Sequence, residues 1–154
     1  MAVSTPYPKP AGLHDDALIM KSAALVAASA ASATIIDTGP GIGHRVGVVH
    51  VNITAIEIAS NDEYYSIYVQ GSSDSDFGTA GNIVDLACIE VGAKEIKRTD
   101  SDRDDAVGNR RVYFDNLDES GTPLRYLRVY TVVAGTIATG INYSARLTWV
   151  PQVA

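Results

Sequence analysis

Two segments near the C-terminus alternate between apolar and polar residues. The apolar positions are Leu127, Val129 and Val133, interleaved with Tyr126, Arg128 and Tyr130, and then Ile141, Tyr143, Ala145, Leu147 and Trp149. A period of two predicts two strands that each bury one face. A seven-residue loop with Gly135 and Gly140 separates them, so we predict consecutive antiparallel strands forming a hairpin. A lone hairpin is marginally stable, so the rest of the chain must cover its apolar face.

Further segments of the chain have the same strand character. They are residues 46–59, 64–70, 83–91 and 111–115, separated by turns rich in Gly, Pro, Asn and Asp. Residues 94–110 are the most polar part of the chain and are predicted to form a solvated loop. Seven or eight strands without a long amphipathic helix predict an antiparallel β-sandwich or barrel.

One of these segments changes its apolar phase. Val49, Val51 and Ile53 share one parity, whereas Ile56 and Ile58 share the other. A slip by one residue indicates a β-bulge or a strand that passes from one sheet to another.

The region before these strands is ambiguous. Its alanines favour helix, but its serines and β-branched residues favour extended structure. We predict a short helical turn or an irregular segment within residues 15–31, then a strand near residues 30–38. The glycine-rich residues 39–43 lack the GxGxxG spacing and precede a strand-like segment, so a turn is expected rather than a phosphate site.

Composition narrows the class of protein. The chain has 154 residues, 12 basic and 18 acidic side chains and a formal net charge of −6, which disfavours nucleic acid as a partner because phosphate binding needs a basic stripe. The N-terminus lacks the features of a secretory signal, and no apolar segment is long enough to span a membrane, so we expect a soluble protein. The single cysteine, Cys88, is expected to be a small buried residue.

The N-terminal residues 1–14 are predicted to form an extended arm, and residues 15–154 a single domain. Prolines alternate with other residues in the arm, which favours polyproline-like backbone without internal hydrogen bonds. Our hypothesis is that the arm clips onto a sister subunit or another protein through Pro6, Tyr7, Pro8, Lys9 and Pro10.

No catalytic or metal-binding constellation is evident in the sequence. Asp100, Asp102 and Asp104 have the spacing that opens a calcium loop, but the glycine and the closing glutamate of such a loop are missing. The three histidines have no metal-ligand spacing, and no serine lies in a GxSxG motif. We therefore expect no enzyme activity, no cofactor and no metal site.

The chain resembles the jelly-roll cement, or decoration, proteins of tailed-phage heads. The resemblance rests on SAASATIIDTG at residues 29–39, YYSIYVQGSSDSDFG at 64–78, VYFDNLDESGTPLRYLRVY at 112–130 and AGTIATGINYSA at 134–145. These motifs consist of residue types that are common in strands and turns, so the resemblance depends on their order and spacing. The proline arm and the acidic residues 100–105 are not matched.

The resemblance implies an eight-stranded jelly roll that coats the outer surface of a capsid. It implies a structural virion protein, made in the cytoplasm of a bacterial host, that bridges and stabilises neighbouring major capsid proteins. A homodimer is favoured, with a homotrimer as the alternative, and nucleic acid and membranes are not expected as partners. A second hypothesis is a carbohydrate-binding module of the phage particle, with sugar-stacking faces on Tyr64, Tyr68, Tyr126, Tyr130 and Trp149.

Overall fold

The computed structural model describes residues 18–93 and 104–150, which form two antiparallel sheets. Strands make up 57% of the structure and helix 3%, and a short 3-10 helix spans Ala80–Asn82. The strands are β1 (Ile19–Val26), β2 (Ala30–Ala31), β3 (Ile36–Asp37), β4 (Val46–Ile56), β5 (Tyr64–Ser72), β6 (Ile83–Gly92), β7 (Gly108–Asp115), β8 (Tyr126–Ala134) and β9 (Ile141–Trp149). The predicted all-β sandwich is confirmed.

The chain passes from one sheet to the other at almost every connection. The first sheet has the order β1-β9-β4-β7, and the second has the order β2-β8-β5-β6, with β3 also paired to β8. Of the consecutive long strands, only β5 and β6 are hydrogen-bonded neighbours. The core is therefore assembled mainly from contacts between residues that are distant in sequence.

The core lies between the inner faces of the two sheets. Its buried apolar residues are Met20, Ile36, Val49, Val51, Ile53, Tyr65, Ile67, Val69, Val91, Phe114, Leu127, Val129, Ile141, Tyr143, Ala145 and Leu147. The predicted alternation of β8 and β9 is confirmed, because the apolar parity of each strand faces this core. Trp149 is partly buried and packs at the margin, with its ring 6.0 Å from that of Phe114.

A buried polar contact joins the two sheets across the core. The hydroxyl of Tyr143 on β9 is hydrogen-bonded to that of Thr131 on β8. Thr131 is 2% exposed and Tyr143 is 0% exposed, and burial raises the pKa of the Tyr143 hydroxyl to about 12. Each hydroxyl satisfies the other, which removes the penalty of burying a polar group without a partner.

The predicted hairpin of β8 and β9 is wrong. β8 belongs to the second sheet and β9 to the first, so the loop between them crosses the end of the sandwich. Both of its glycines have positive φ, and a Cβ atom would lie 2.1 Å from the Asp62 carbonyl oxygen at Gly135 and 2.2 Å from that of Val26 at Gly140. The glycines that suggested a hairpin turn instead allow this loop to pass close to two other segments.

The short helical turn or irregular segment predicted within residues 15–31 is wrong for the part from Ile19 to Val26, because Ile19–Val26 is an edge strand paired with β9. Pairing with β9 outweighs the helix preference of its alanines. The single strand predicted near residues 30–38 is interrupted into β2 and β3. Around β2 the side-chain oxygens of Ser29 and Ser32 accept hydrogen bonds from backbone N–H groups of β8 at 2.9 and 3.2 Å.

Three other predictions concern the phase change in β4, the end of the polar loop before β7, and Cys88. The phase change in β4 is confirmed as a register shift between Ile53 and Ala55 in its pairing with β9. The loop predicted to extend to residue 110 is wrong at its end, because β7 begins at Gly108. Cys88 is not fully buried: it is partly exposed and lies opposite Tyr68 on the outer parity of β6, whose inner face carries Ile89 and Val91.

Several sequence predictions concern residues outside the described ranges. The arm residues Pro6, Tyr7, Pro8, Lys9 and Pro10 lie there, as do Asp100 and Asp102. The proposed boundary between residues 14 and 15 lies there as well. These assignments remain predictions.

The cross-sheet contact gives a test of core stability. Replacing Tyr143 with Phe leaves the buried Thr131 hydroxyl without its partner, so we expect a loss of about 1–3 kcal/mol in the free energy of unfolding. Urea denaturation measures this loss. The double variant Tyr143→Phe with Thr131→Val should regain most of it, whereas the exposed Tyr113→Phe control should stay within about 0.5 kcal/mol of wild type. A double variant no more stable than the single one would contradict this account.

Candidate binding surfaces

The outer face of the second sheet carries four of the five aromatic residues proposed to stack on sugars. Tyr68 on β5 lies opposite Tyr130 on β8, and Tyr126 lies further along the same face of β8. Tyr64 is at the start of β5, opposite Ala134. Trp149 lies in the other sheet, where the Arg45 guanidinium is 5.8 Å from its ring centre. The structure therefore separates Trp149 from the tyrosines.

A polar row crosses the same outer face beside these tyrosines. The Gln70 side chain donates to the Asp85 carboxylate at 2.8 Å and accepts from Arg128 Nε at 2.9 Å. These three residues belong to neighbouring strands β5, β6 and β8. The row fixes the Arg128 guanidinium in one orientation, and burial lowers the pKa of Arg128.

The connection between β5 and β6 covers part of this face. Phe77 has a φ of 54° and is only 6% exposed, and the Arg128 guanidinium lies 4.2 Å from its ring centre. The Ser72 hydroxyl accepts a bond from Asp74 N, and the Asp74 carboxylate accepts one from Asn82. The second sheet thus has an outer face already occupied in part by its own chain.

The outer face of the first sheet has a different chemistry, because it carries basic side chains. The register places His50 on β4 opposite both Arg111 on β7 and Arg146 on β9. Both arginines are exposed. Sequence analysis did not identify this row, although the alternation of β9 had already placed Arg146 on a polar face. The alternation of residues along one strand does not show which other strands lie beside it in the sheet.

One lateral margin of the sandwich is exposed and carries no charge. Residues 22–34 contain only Ser, Ala, Leu, Val and Thr, and most of them are exposed; Leu25 is 61% exposed. Together with Lys21, this segment lines a groove of about 430 Å³ between β1 and the β2 edge. Edge strands and exposed apolar residues are common sites of protein association.

Lys21 and the bulges beside it protect the first part of this margin from pairing with another strand. The Lys21 ammonium donates to the carbonyl oxygens of Ala24 and Tyr143 at 2.9 and 3.0 Å, and it lies 4.4 Å from the centre of the Tyr143 ring. Burial lowers its pKa. Register shifts on either side of Lys21 bulge the strand, a device that discourages edge-to-edge pairing.

Carboxylates hold the loops at the end of the sandwich where β8 leads into β9. The Glu57 carboxylate accepts bonds from the backbone N–H groups of Ala138, Thr139 and Gly140, which lower its pKa. The Asp62 carboxylate accepts bonds from both the N–H and the hydroxyl of Thr136 at 2.8 Å. These two carboxylates therefore fix the loop between β8 and β9 at the end of the sandwich.

An ion pair joins β3 to the start of β8. Arg125 donates from Nε and Nη2 to the two carboxylate oxygens of Asp37 at 2.6 and 2.7 Å. The Gly39 N–H donates to the same carboxylate at 2.8 Å. The Arg125 bonds, followed by the bond from Gly39, lower the pKa of Asp37 to about 2.

The described residues offer no metal site. Within residues 18–93 and 104–150, no group of three or more His, Cys, Asp or Glu side chains is gathered closely enough to hold an ion. Asp105, beside the acidic residues predicted as a solvated loop, accepts a bond from Gly92 N at 3.2 Å. His44 precedes β4, and His50 lies on its outer face.

Comparisons with known proteins give no family assignment. No protein-family model matches the chain, and no curated protein matches it. Among the described residues, no helix has both the length and the apolar character needed to cross a membrane.

The ion pair of Asp37 predicts a pH dependence of stability. An unfolded Asp titrates near pH 3.9. Because the pKa of Asp37 is lower in the folded state, the charged form of Asp37 stabilises the folded protein. This contribution is present above about pH 4 and is lost as the pH falls towards 2. The Asp37→Asn variant should have a lower thermal midpoint than wild type at pH 7.

The difference between the two proteins should shrink between pH 4 and pH 2 when their midpoints are measured by circular dichroism. Glu119→Gln, at an exposed turn position, is the control and should follow the wild-type curve. An unchanged difference between Asp37→Asn and wild type across this range would contradict the assignment.

Proposed function

We propose that this protein is a capsid decoration protein that binds the outer surface of a tailed-phage head and bridges neighbouring major capsid proteins. The observation that carries the proposal is the exposed, uncharged margin of residues 22–34, in which Leu25 is the most exposed large apolar side chain. Such a surface suits burial against another protein better than it suits a small ligand. The resemblance of residues 29–145 to decoration proteins supplies the kind of partner.

We also propose that the sandwich is a jelly roll. Support comes from the strand orders β1-β9-β4-β7 and β2-β8-β5-β6, in which the first and last strands are neighbours and the chain repeatedly changes sheet. Jelly rolls pair two Greek keys in this way and are common in viral shells. Self-association follows from the same proposal, with a homodimer favoured over a homotrimer, because a closed symmetric contact covers exposed edges.

The physical role of such a protein is to add many small contacts to a closed shell. Each contact can be weak, because copies tethered to one lattice bind at high effective concentration. The arm residues Pro6–Pro10 fit this role as an additional clip, since prolines reduce the ordering cost of docking. That part of the proposal concerns residues outside the described ranges.

Binding to capsids tests the function directly. Recombinant protein should co-sediment with capsids of the encoding phage that lack it, saturate at a fixed number of copies, and raise the temperature at which the capsids lose their DNA. A variant with Leu25→Asp should bind less at the same concentration, because a charge must then be buried at the contact. Glu119→Asp, a change at an exposed turn, is the control. Failure of the wild-type protein to bind these capsids would reject the proposal.

Carbohydrate binding is the second candidate function. The observation in its favour is the cross-strand pair of Tyr68 and Tyr130 beside the polar row of Asp85, Gln70 and Arg128, because aromatic faces and fixed hydrogen-bonding groups are what sugar rings require. A glycan array should show selective binding that Tyr130→Ala abolishes and the exposed Tyr113→Ala does not. An array without selective binding would reject this candidate.

A further inference from the structure

The two sheets of the sandwich carry opposite balances of charge. The strands of the first sheet contain four basic residues, Lys21, Arg110, Arg111 and Arg146, and one acidic residue, Asp115. The strands of the second contain one basic residue, Arg128, and three acidic residues, Asp37, Asp85 and Glu90. A chain with a net charge of −6 has thus concentrated positive charge on one of its sheets.

Two of the four basic side chains of the first sheet are used within the protein. Lys21 is bound to backbone carbonyl oxygens, and Arg110 donates to the Ala106 carbonyl and lies 4.0 Å from the Asp105 carboxylate. Arg111 and Arg146 are exposed, and within the part of the chain that the structure describes neither guanidinium has a hydrogen bond or an ion pair. Their charges are available to another molecule.

The positions of these two arginines are fixed by the sheet. Both lie opposite His50, one on each side of β4, and strands are spaced by about 4.8 Å, so their Cα atoms are about 10 Å apart. Two guanidinium groups of like charge on one face of a sheet do not stabilise one another, and an anionic group placed between them is attracted by both. A row of this kind gains stability when an anionic group binds to it.

The surroundings of the row resemble a protein-binding surface. Tyr113 lies two residues along β7 from Arg111, is 65% exposed, and faces Val48 across the strands. Tyrosine and arginine are the residue types enriched at the energetic centres of protein interfaces. The only acidic residue in the strands of this sheet, Asp115, is at the far end of β7.

We propose that this face docks onto an acidic protein surface, with Arg111 and Arg146 each receiving a carboxylate and Tyr113 packing beside them. Charge complementarity selects the partner, because the face is basic on an otherwise acidic protein. Nucleic acid fits less well, since two exposed arginines do not form the longer basic stripe that a phosphate backbone requires. This inference rests on the proposed function only for the identity of the partner, which is then the capsid shell. The acidic chemistry of the partner is inferred from the basic face itself.

The test uses the double variant Arg111→Gln with Arg146→Gln. Arg111→Lys with Arg146→Lys keeps the charge, and Arg45→Gln removes one positive charge at an exposed position elsewhere; thermal midpoints establish that each is folded. The first readout is a ¹⁵N NMR titration with a capped hexaglutamate peptide. Wild-type shifts should concentrate at Arg111, His50 and Arg146, and the Gln variant should bind at least about tenfold more weakly, whereas the Lys variant keeps part of the affinity and the Arg45→Gln variant most of it.

The second readout is co-sedimentation with undecorated capsids at increasing salt. The Gln variant should bind capsids at least about tenfold more weakly than wild type and with a smaller salt dependence. If wild type does not bind capsids but the peptide maps to this row, the decoration function fails and the acidic-partner inference stands. Peptide shifts located elsewhere, capsid binding unchanged in the Gln variant, or displacement of the peptide from this row by a 12-base-pair DNA duplex would each overturn it.

Discussion

Burial of alternate side chains between two sheets is the constraint on which the rest of this structure depends. Neither sheet can hide its apolar face alone, so each must pack on the other. The chain meets this requirement by changing sheet at nearly every connection. The Tyr143–Thr131 contact belongs to the same arrangement, because it satisfies two hydroxyls that the packing would otherwise bury without partners.

The frequent changes of sheet place the main structural demands on the loops at the two ends. At one end Glu57 and Asp62 hold the loop between β8 and β9 through its N–H groups. At the other end the buried Asn116 amide accepts a bond from Arg45 N and donates to the Gly43 carbonyl. The side chains of Glu57, Asp62 and Asn116 therefore hold the loops at the two ends of the sandwich.

The sheet faces and edges are not equivalent. The second sheet carries the acidic strand residues and is partly covered by Phe77, whereas the first presents Arg111 and Arg146 without partners among the described residues. The lateral margin beside β1 is uncharged. A protein with three chemically distinct surfaces can contact different neighbours at once, which is the requirement for bridging subunits of a shell. The proposed decoration function and the proposed acidic partner are both consistent with this division.

The sequence by itself determined most of the strands and which side of each of these strands is apolar, because that information is local. The alternation of residues 141–149 and the phase change in β4 are examples. It did not determine which strands are neighbours. β8 and β9 were predicted to pair, and the alanine-rich β1 was predicted to be helical or irregular. Both predictions failed because loop glycines and residue propensities contain no information about distant partners. The row of Arg111, His50 and Arg146 shows the same division. Local alternation determined that each of these side chains points outward. Only the register of three strands from distant parts of the chain brought the three side chains together. The sequence does not specify that register, because a sheet is joined by backbone hydrogen bonds that nearly every residue type can make.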